Sequence, residues 1–258
     1  MSNTERVDKN LFREEHYLGK PADDADKIIS RRIDILNQYP DFFVNTTDII
    51  EVGSGSGATI NRIASRFRTA LGIDIFDYSE PFKQQQQMFN AVNSSFIRID
   101  LENENLNQKF DRLISFEVIE HLKTDDSVSK YAELLNEGGL AAITVPNKWW
   151  IFETHGARLP LLPWNRVPFF SWLPRPIHER YANARIYTRK RIFDLLRKHD
   201  FEIIDWRYVT APMDVLKEGR LKRFVTRYIF RNDTTSSPFL ATSIFVIARK
   251  KKTKGSNE

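Results

Sequence analysis

The sequence Glu51-Val-Gly-Ser-Gly-Ser-Gly57 sets Gly53, Gly55 and Gly57 in a row, two residues after an acid. Glycines let a backbone turn tightly and come close to a ligand. A helix opening after them would offer free N–H groups and partial positive charge. The spacing is G-x-G-x-G, not the G-x-G-x-x-G of dinucleotide sites, and no Gly-Lys-Ser/Thr follows as in a phosphate-binding loop. Asp74 lies 19 residues beyond Gly55. A carboxylate at the end of the next strand can accept both hydroxyls of a ribose, so the pattern describes a nucleotide-like ligand at the end of a strand.

Two later clusters narrow this. Asp100-Leu101 offers a carboxylate and a backbone N–H, which suit the amino edge of an adenine. Phe116-Glu117-Val118-Ile119-Glu120-His121-Leu122 then packs two carboxylates and an imidazole into five residues. Such a donor set suits a hard or borderline cation. Local capping and packing explain it as well, and the site assigned from sequence includes no metal.

These residues need strand ends to hold them, and the hydrophobic periodicity supplies strands. Apolar strands are expected at Asp48 to Val52, Thr69 to Ile75, Ser95 to Ile99, Phe110 to Phe116 and Leu140 to Val145. Helices are expected between them at Ala58 to Phe67, Phe82 to Val92 and Ser127 to Asn136, the last stopped by Gly138-Gly139. Such alternation implies right-handed crossovers and a parallel sheet, which binds ligands at the carboxyl ends of its strands. Lys27 to Tyr39 has helical spacing and ends at Pro40. A helix at Thr188 to His199 and strands at Phe201 to Val209 and Thr242 to Ala248 complete the pattern. The chain divides into an N-terminal helical cover (1–45), a main domain (46–250) and a polar tail (251–258) expected to be disordered.

At Glu117 to Leu122 the sequence resembles the class I S-adenosylmethionine-dependent methyltransferases, and within them the ubiquinone-type O-methyltransferases. Pro146-Asn147, Tyr187-Thr188 and the turn Lys198-His199-Asp200 resemble that subgroup too. The resemblance covers roughly residues 46–148 and 186–250. It implies a Rossmann-like α/β fold, with a seven-stranded, mostly parallel sheet, helices on both faces and an antiparallel last strand. It places Glu51, Gly53, Ser54, Gly55 and Gly57 around the methionine part of S-adenosyl-L-methionine. Asp74 with Ile75 holds the ribose, Asp100 and Leu101 the adenine, and Glu117 the meeting point with the acceptor. An oxygen acceptor must also lose its proton. His121 is the first candidate base, with His155 next and His178 after it. In ubiquinone-type and some small-RNA methyltransferases a cluster like Glu117, Glu120 and His121 binds a divalent ion.

The remaining segments concern the acceptor. Trp149 to Tyr181 holds four of the five tryptophans and five of the eleven prolines. This insertion (149–182) reads either as a lid packed on the sheet or as a hydrophobic acceptor channel or membrane-facing surface. A basic amphipathic stretch follows (214–232), with Leu221, Phe224, Val225, Tyr228 and Ile229 beside Arg220, Arg223, Arg227 and Arg231. Helices of this kind lie on anionic membranes, or pack on a core with a solvated charged face. The net charge is +5 and there is no cysteine, which removes disulfides and thiolate chemistry. No segment approaches a membrane span and no signal-peptide core is visible, so a cytoplasmic protein is expected, peripheral on the inner membrane face. The favoured partner is a small-molecule or lipid-linked acceptor; the oligomeric state is left open. An RNA methyltransferase lacks a separate RNA-binding module here. A nicotinamide-dependent oxidoreductase lacks its glycine spacing. An inactive scaffold would not need Gly53, Gly55, Gly57 and Asp74.

Overall fold

The computed structural model describes residues 27–153, 155, 168–213 and 219–252. One mixed sheet runs in the order β3-β2-β1-β4-β5-β8-β6-β7. Its parallel half is β1 (Asp48–Val52), β2 (Thr69–Asp74), β3 (Ser94–Arg98), β4 (Phe110–Phe116) and β5 (Leu135–Pro146). β8 (Ala241–Lys250) lies between β5 and β6 (Phe201–Thr210) and is antiparallel to both. The sheet therefore has eight strands rather than the expected seven. The extra one, β7 (Thr234–Thr235), is a two-residue edge on β6.

Helices cover both faces. α1 (Lys27–Leu36), the single-turn α2 (Ile60–Ile63) and α3 (Ser79–Met88) pack on one. α4 (Ser129–Leu134) and α6 (Arg189–Lys198) pack on the other. β1 is covered on both faces: Ile49 faces one layer and Ile50 the other, and both are fully buried. α5 (Arg175–Tyr181) and α7 (Arg220–Tyr228) lie outside these layers.

Three boundaries differ for physical reasons. The helix after the glycine loop is one α turn, continued by a 3-10 turn at Ala64–Arg66, so it contributes far less dipole than a ten-residue helix would. α3 begins at Ser79 because Asp77 accepts from the Ser79 N–H (3.0 Å). Gly138-Gly139 does not stop a helix. Leu135 already pairs with Phe110, and the two glycines fall at a register shift within β5, with Gly138 at φ +77°. The sequence-assigned tail lies mostly outside the described residues (253–258), as do parts of the insertion and of the basic stretch (154, 156–167 and 214–218).

Candidate functional site

At the carboxyl ends of the parallel strands lies a cavity of about 580 Å³, within the range of small-molecule sites. One wall is the glycine loop. The N–H groups of Gly53 and Ser54 both donate to the Ile73 carbonyl, at 2.9 Å each. The Gly55 N–H donates to Asp74 Oδ2 at 2.9 Å, and the Phe76 N–H to Asp74 Oδ1 at 3.1 Å. The loop is thereby stitched to the end of β2, with Asp74 as the fastening. Burial raises the Asp74 carboxyl, opposed by these backbone N–H groups. At Gly53 (φ +73°) a Cβ would stand 2.4 Å from Val118 Cγ2, so only glycine lets the loop meet the Glu117–Leu122 segment.

Most residues assigned from sequence come together here. Glu51, Gly53, Ser54, Gly55, Asp74, Ile75, Asp100, Leu101, Glu117, His121 and His155 all line the cavity. Gly57 does not. It sits behind the loop, where a Cβ would strike the Phe82 ring and Asn61, so its role is close packing at φ +76°. Asp100 lines the cavity, yet its oxygens also hold their own turn, accepting from the Glu102 N–H (2.9 Å) and the Asn103 amide (2.6 Å). His178 lies away from the cavity lining and is fully buried in the insertion, against Glu153.

Glu51 is buried and accepts from the Ile60 N–H at 3.1 Å. Desolvation pushes its carboxyl up to about 8, against the pull of the Ile60 N–H, Thr59 and Arg32. Arg32 was missed by sequence reasoning. It reaches from α1 into the cavity wall, pairs with Glu117 at 3.1 Å and lies over the Phe116 ring. Glu117 itself has φ +59°, an uncommon conformation for a residue with a side chain. Phe76 and Tyr78, in edge contact at 6.1 Å, also line the cavity beside Asp74.

The other end carries the acid–base groups. Glu120 is fully buried, with both carboxylate oxygens lacking a hydrogen bond among the described residues. Burial raises its carboxyl well above the usual range, and the Glu117 charge raises it further. His155 Nε2 stands 3.4 Å from Glu120 Oε1, and the His121 and His155 rings meet edge-on at 5.2 Å. Glu120, His121 and His155 can each turn one donor atom to a common point, all within 4.8 Å of one another. That donor set fits a divalent cation.

Buried polar pairs hold this end in place. Arg185 donates to the carbonyls of Ile119 (2.8 Å) and Leu122 (2.6 Å) and pairs with Asp125, clamping the turn that presents Glu120 and His121. Glu153 Oε2 bonds His178 Nε2 at 2.6 Å, while its other oxygen accepts from the His155 N–H at 3.1 Å. Asn147 ties the end of β5 to β8 through the Pro238 and Ala241 carbonyls. Thr188 caps α6 by accepting from the Arg191 N–H. Of the resemblance-bearing pairs, Pro146-Asn147 and Tyr187-Thr188 thus serve as fastenings.

Comparison with known proteins agrees with this geometry. A family model described as a methyltransferase domain matches residues 11–205. No curated protein matches the chain by sequence. Among solved structures, an S-adenosylmethionine-dependent methyltransferase from Clostridium acetobutylicum is similar, with a TM-score of 0.55 and 13% identity over 87% of this chain and 92% of that one. The N-methyltransferase NodS from Bradyrhizobium japonicum, solved with S-adenosyl-L-homocysteine, gives 0.53 and 11% over 86% and 87%. Coclaurine N-methyltransferase, bound to N-methylheliamine and S-adenosyl-L-homocysteine, gives 0.56 and 15% over 94% and 78%. At these identities the structures establish a shared fold; the family match spans most of the chain, and the chain belongs to the methyltransferase domain family.

Proposed function

We propose that the chain binds S-adenosyl-L-methionine in this cavity and transfers its methyl group to a hydroxyl of a hydrophobic, lipid-linked or glycan-type small molecule. Within the family we liken it to the ubiquinone-type O-methyltransferases, on the resemblance at Glu117 to Leu122. Support for the cofactor comes from the loop, Asp74 and Glu51 on one cavity wall. Methyl transfer from a sulfonium is an in-line displacement, so the protein chiefly positions the acceptor and excludes water. Glu51 faces the methionine end, where a cationic ligand favours its ionised form.

The observation that favours oxygen over nitrogen is Glu120, buried whole beside His155 and His121. A neutral amine can attack without losing a proton first, whereas a hydroxyl needs a base in the transition state. In this reading His155 takes the acceptor proton, and Glu120, 3.4 Å away, orients its ring. His121 borders the same point. The unbonded Glu120 oxygens favour a second reading, in which Glu120, His121 and His155 hold a divalent cation. Such an ion would lower the acceptor pKa.

The test is incubation with methyl-labelled S-adenosylmethionine and lipid extracts, followed by mass spectrometry of the product. A methyl ether that disappears with His155→Ala and Glu120→Gln supports the proposal; methyl on nitrogen or on a carboxylate overturns the acceptor assignment. Activity that survives exhaustive chelation supports direct proton transfer. Loss on chelation, restored by added Mg²⁺ or Mn²⁺, supports the cation reading.

A further inference from the structure

Helix α7 leaves none of its residues buried. Leu221, Phe224 and Tyr228 are 67%, 56% and 66% exposed. An apolar stripe at this spacing normally faces a core. Here the core contact is made by the neighbouring position, Val225, which packs against Trp150, Ala211 and Phe230. The mounting is firm. From α1, Arg31 donates to the carbonyls of Thr210 (2.6 Å) and Phe230 (2.8 Å) and pairs with Asp233. The stripe is thus held facing outward.

Charge follows the same surface. Arg220 to Arg231 contains five basic residues and no acid. Arg220, Arg223 and Arg227 repeat at helical spacing beside the apolar stripe, and all three are exposed. A second apolar patch adjoins. Phe169, Trp172, Phe239 and Trp149 form a chain of ring contacts at 4.9, 5.6 and 6.3 Å, and each ring is exposed in part. Trp150, next to Trp149, is buried against Phe230 at 6.1 Å and with Val225 ties the two segments together through a small core beneath them. Trp149 lies just past the end of β5, so the aromatic patch stands at the end of the sheet that carries the cavity.

We propose that α7 and this aromatic cluster form a docking surface for an anionic phospholipid bilayer. A helix with large aliphatic and aromatic groups on one side and arginines along its edge lies in the plane of a bilayer surface, rings in the interface and guanidinium groups among the phosphates. Tryptophan and tyrosine are favoured at that depth. RNA would use the arginines and could stack bases on Phe224 and Tyr228, but it gains little from the exposed aliphatic Leu221 and Ile229 beside them. No helix of the described residues is long and apolar enough to cross a membrane, so the contact is peripheral. Docking would turn the cavity's end of the sheet toward the lipid. The inference holds whatever atom accepts the methyl group.

Flotation of the full chain tests it, with vesicles of phosphatidylcholine alone and of phosphatidylcholine with about one-third phosphatidylglycerol, at low and high salt. The expected result is binding to the anionic vesicles that weakens with salt. The triple change Arg220→Glu, Arg223→Glu, Arg227→Glu should weaken it roughly tenfold or more. Leu221→Ser with Phe224→Ser should weaken it without altering the salt dependence. S-adenosylmethionine affinity, measured on the same variants, should stay unchanged because α7 does not line the cavity; this separates loss of docking from loss of fold or of cofactor. Failure to bind anionic vesicles at low salt overturns the proposal. So does binding that the charge reversal leaves intact, or tight binding to single-stranded RNA in its place.

Discussion

The two ends of the cavity are built by different means. At the cofactor end, backbone does the work: Gly53, Ser54 and Gly55 hang from β2 by their own N–H groups, and Asp74 fastens the loop with one side chain. At the acceptor end, buried charged side chains do it: Arg185 clamps the Glu120 turn, and Glu153 holds both His178 and the His155 backbone. Backbone stitching tolerates many side chains but few changes of glycine. Paired buried charges tolerate neither partner's loss, yet both can be exchanged together.

The contrast is broken most severely at Glu153. Glu153→Ala leaves the buried His178 Nε2 without its hydrogen bond and frees the His155 backbone, and should cost about 1 to 3 kcal/mol of stability. Thermal melts of E153A, H178A and the double variant should show a double effect well below the sum. Additive losses would mean the pair is not a unit.

Gly53→Ala is the matching change at the other end. The new Cβ would strike Val118 and occupy a backbone at φ +73°. We expect a loss of about 1 to 3 kcal/mol in stability, and S-adenosylmethionine affinity reduced by at least tenfold in calorimetry. Unchanged affinity would show that the loop does not need to close on the Glu117–Leu122 segment.

The glycine-loop end of the cavity was largely legible in the sequence because its parts are local. Glycine loop, Asp74 and Asp100-Leu101 each sit at the end of a strand whose pattern is plain. Arg32 and Arg185 were not legible: their partners, Glu117 and the Ile119 and Leu122 carbonyls, are brought near only by the fold. The Glu153–His178 pair is hidden for the same reason, although two ionisable residues among so many aromatics are a signal. Gly57 shares the spacing of Gly53 and Gly55, but Phe82 and Asn61 fill the space beside it and it does not line the cavity. α7 was visible as amphipathic, but which side it buries depends on Val225 and Trp150 meeting.

A pH effect sharpens the comparison. The Glu51 carboxyl is raised from 4.5 to about 8. Between those values the unfolded chain ionises this group while the folded chain keeps its proton, so stability falls as pH rises, by about 1.4 kcal/mol per unit. Glu51→Gln should remove that slope, making the ligand-free protein the more stable form at pH 8 while weakening cofactor binding. Melting curves from pH 5 to 8 check it; parallel curves for the two proteins would contradict it.

A smaller effect is expected from Arg185→Lys. One ammonium could replace the Nη2 that bonds the Ile119 and Leu122 carbonyls but not, at the same time, the Nε paired with Asp125, so about 1 to 3 kcal/mol should be lost. The fall in turnover should exceed any fall in cofactor affinity. Equal falls would place Arg185 at both ends of the cavity.

The central claim is that this cavity holds S-adenosylmethionine. Calorimetric titration of the chain with S-adenosylmethionine and, separately, with NAD tests it most directly, with Asp74→Ala as the control. The account predicts one-site binding of S-adenosylmethionine, lost in Asp74→Ala, and no binding of NAD. Binding of NAD without S-adenosylmethionine would contradict it.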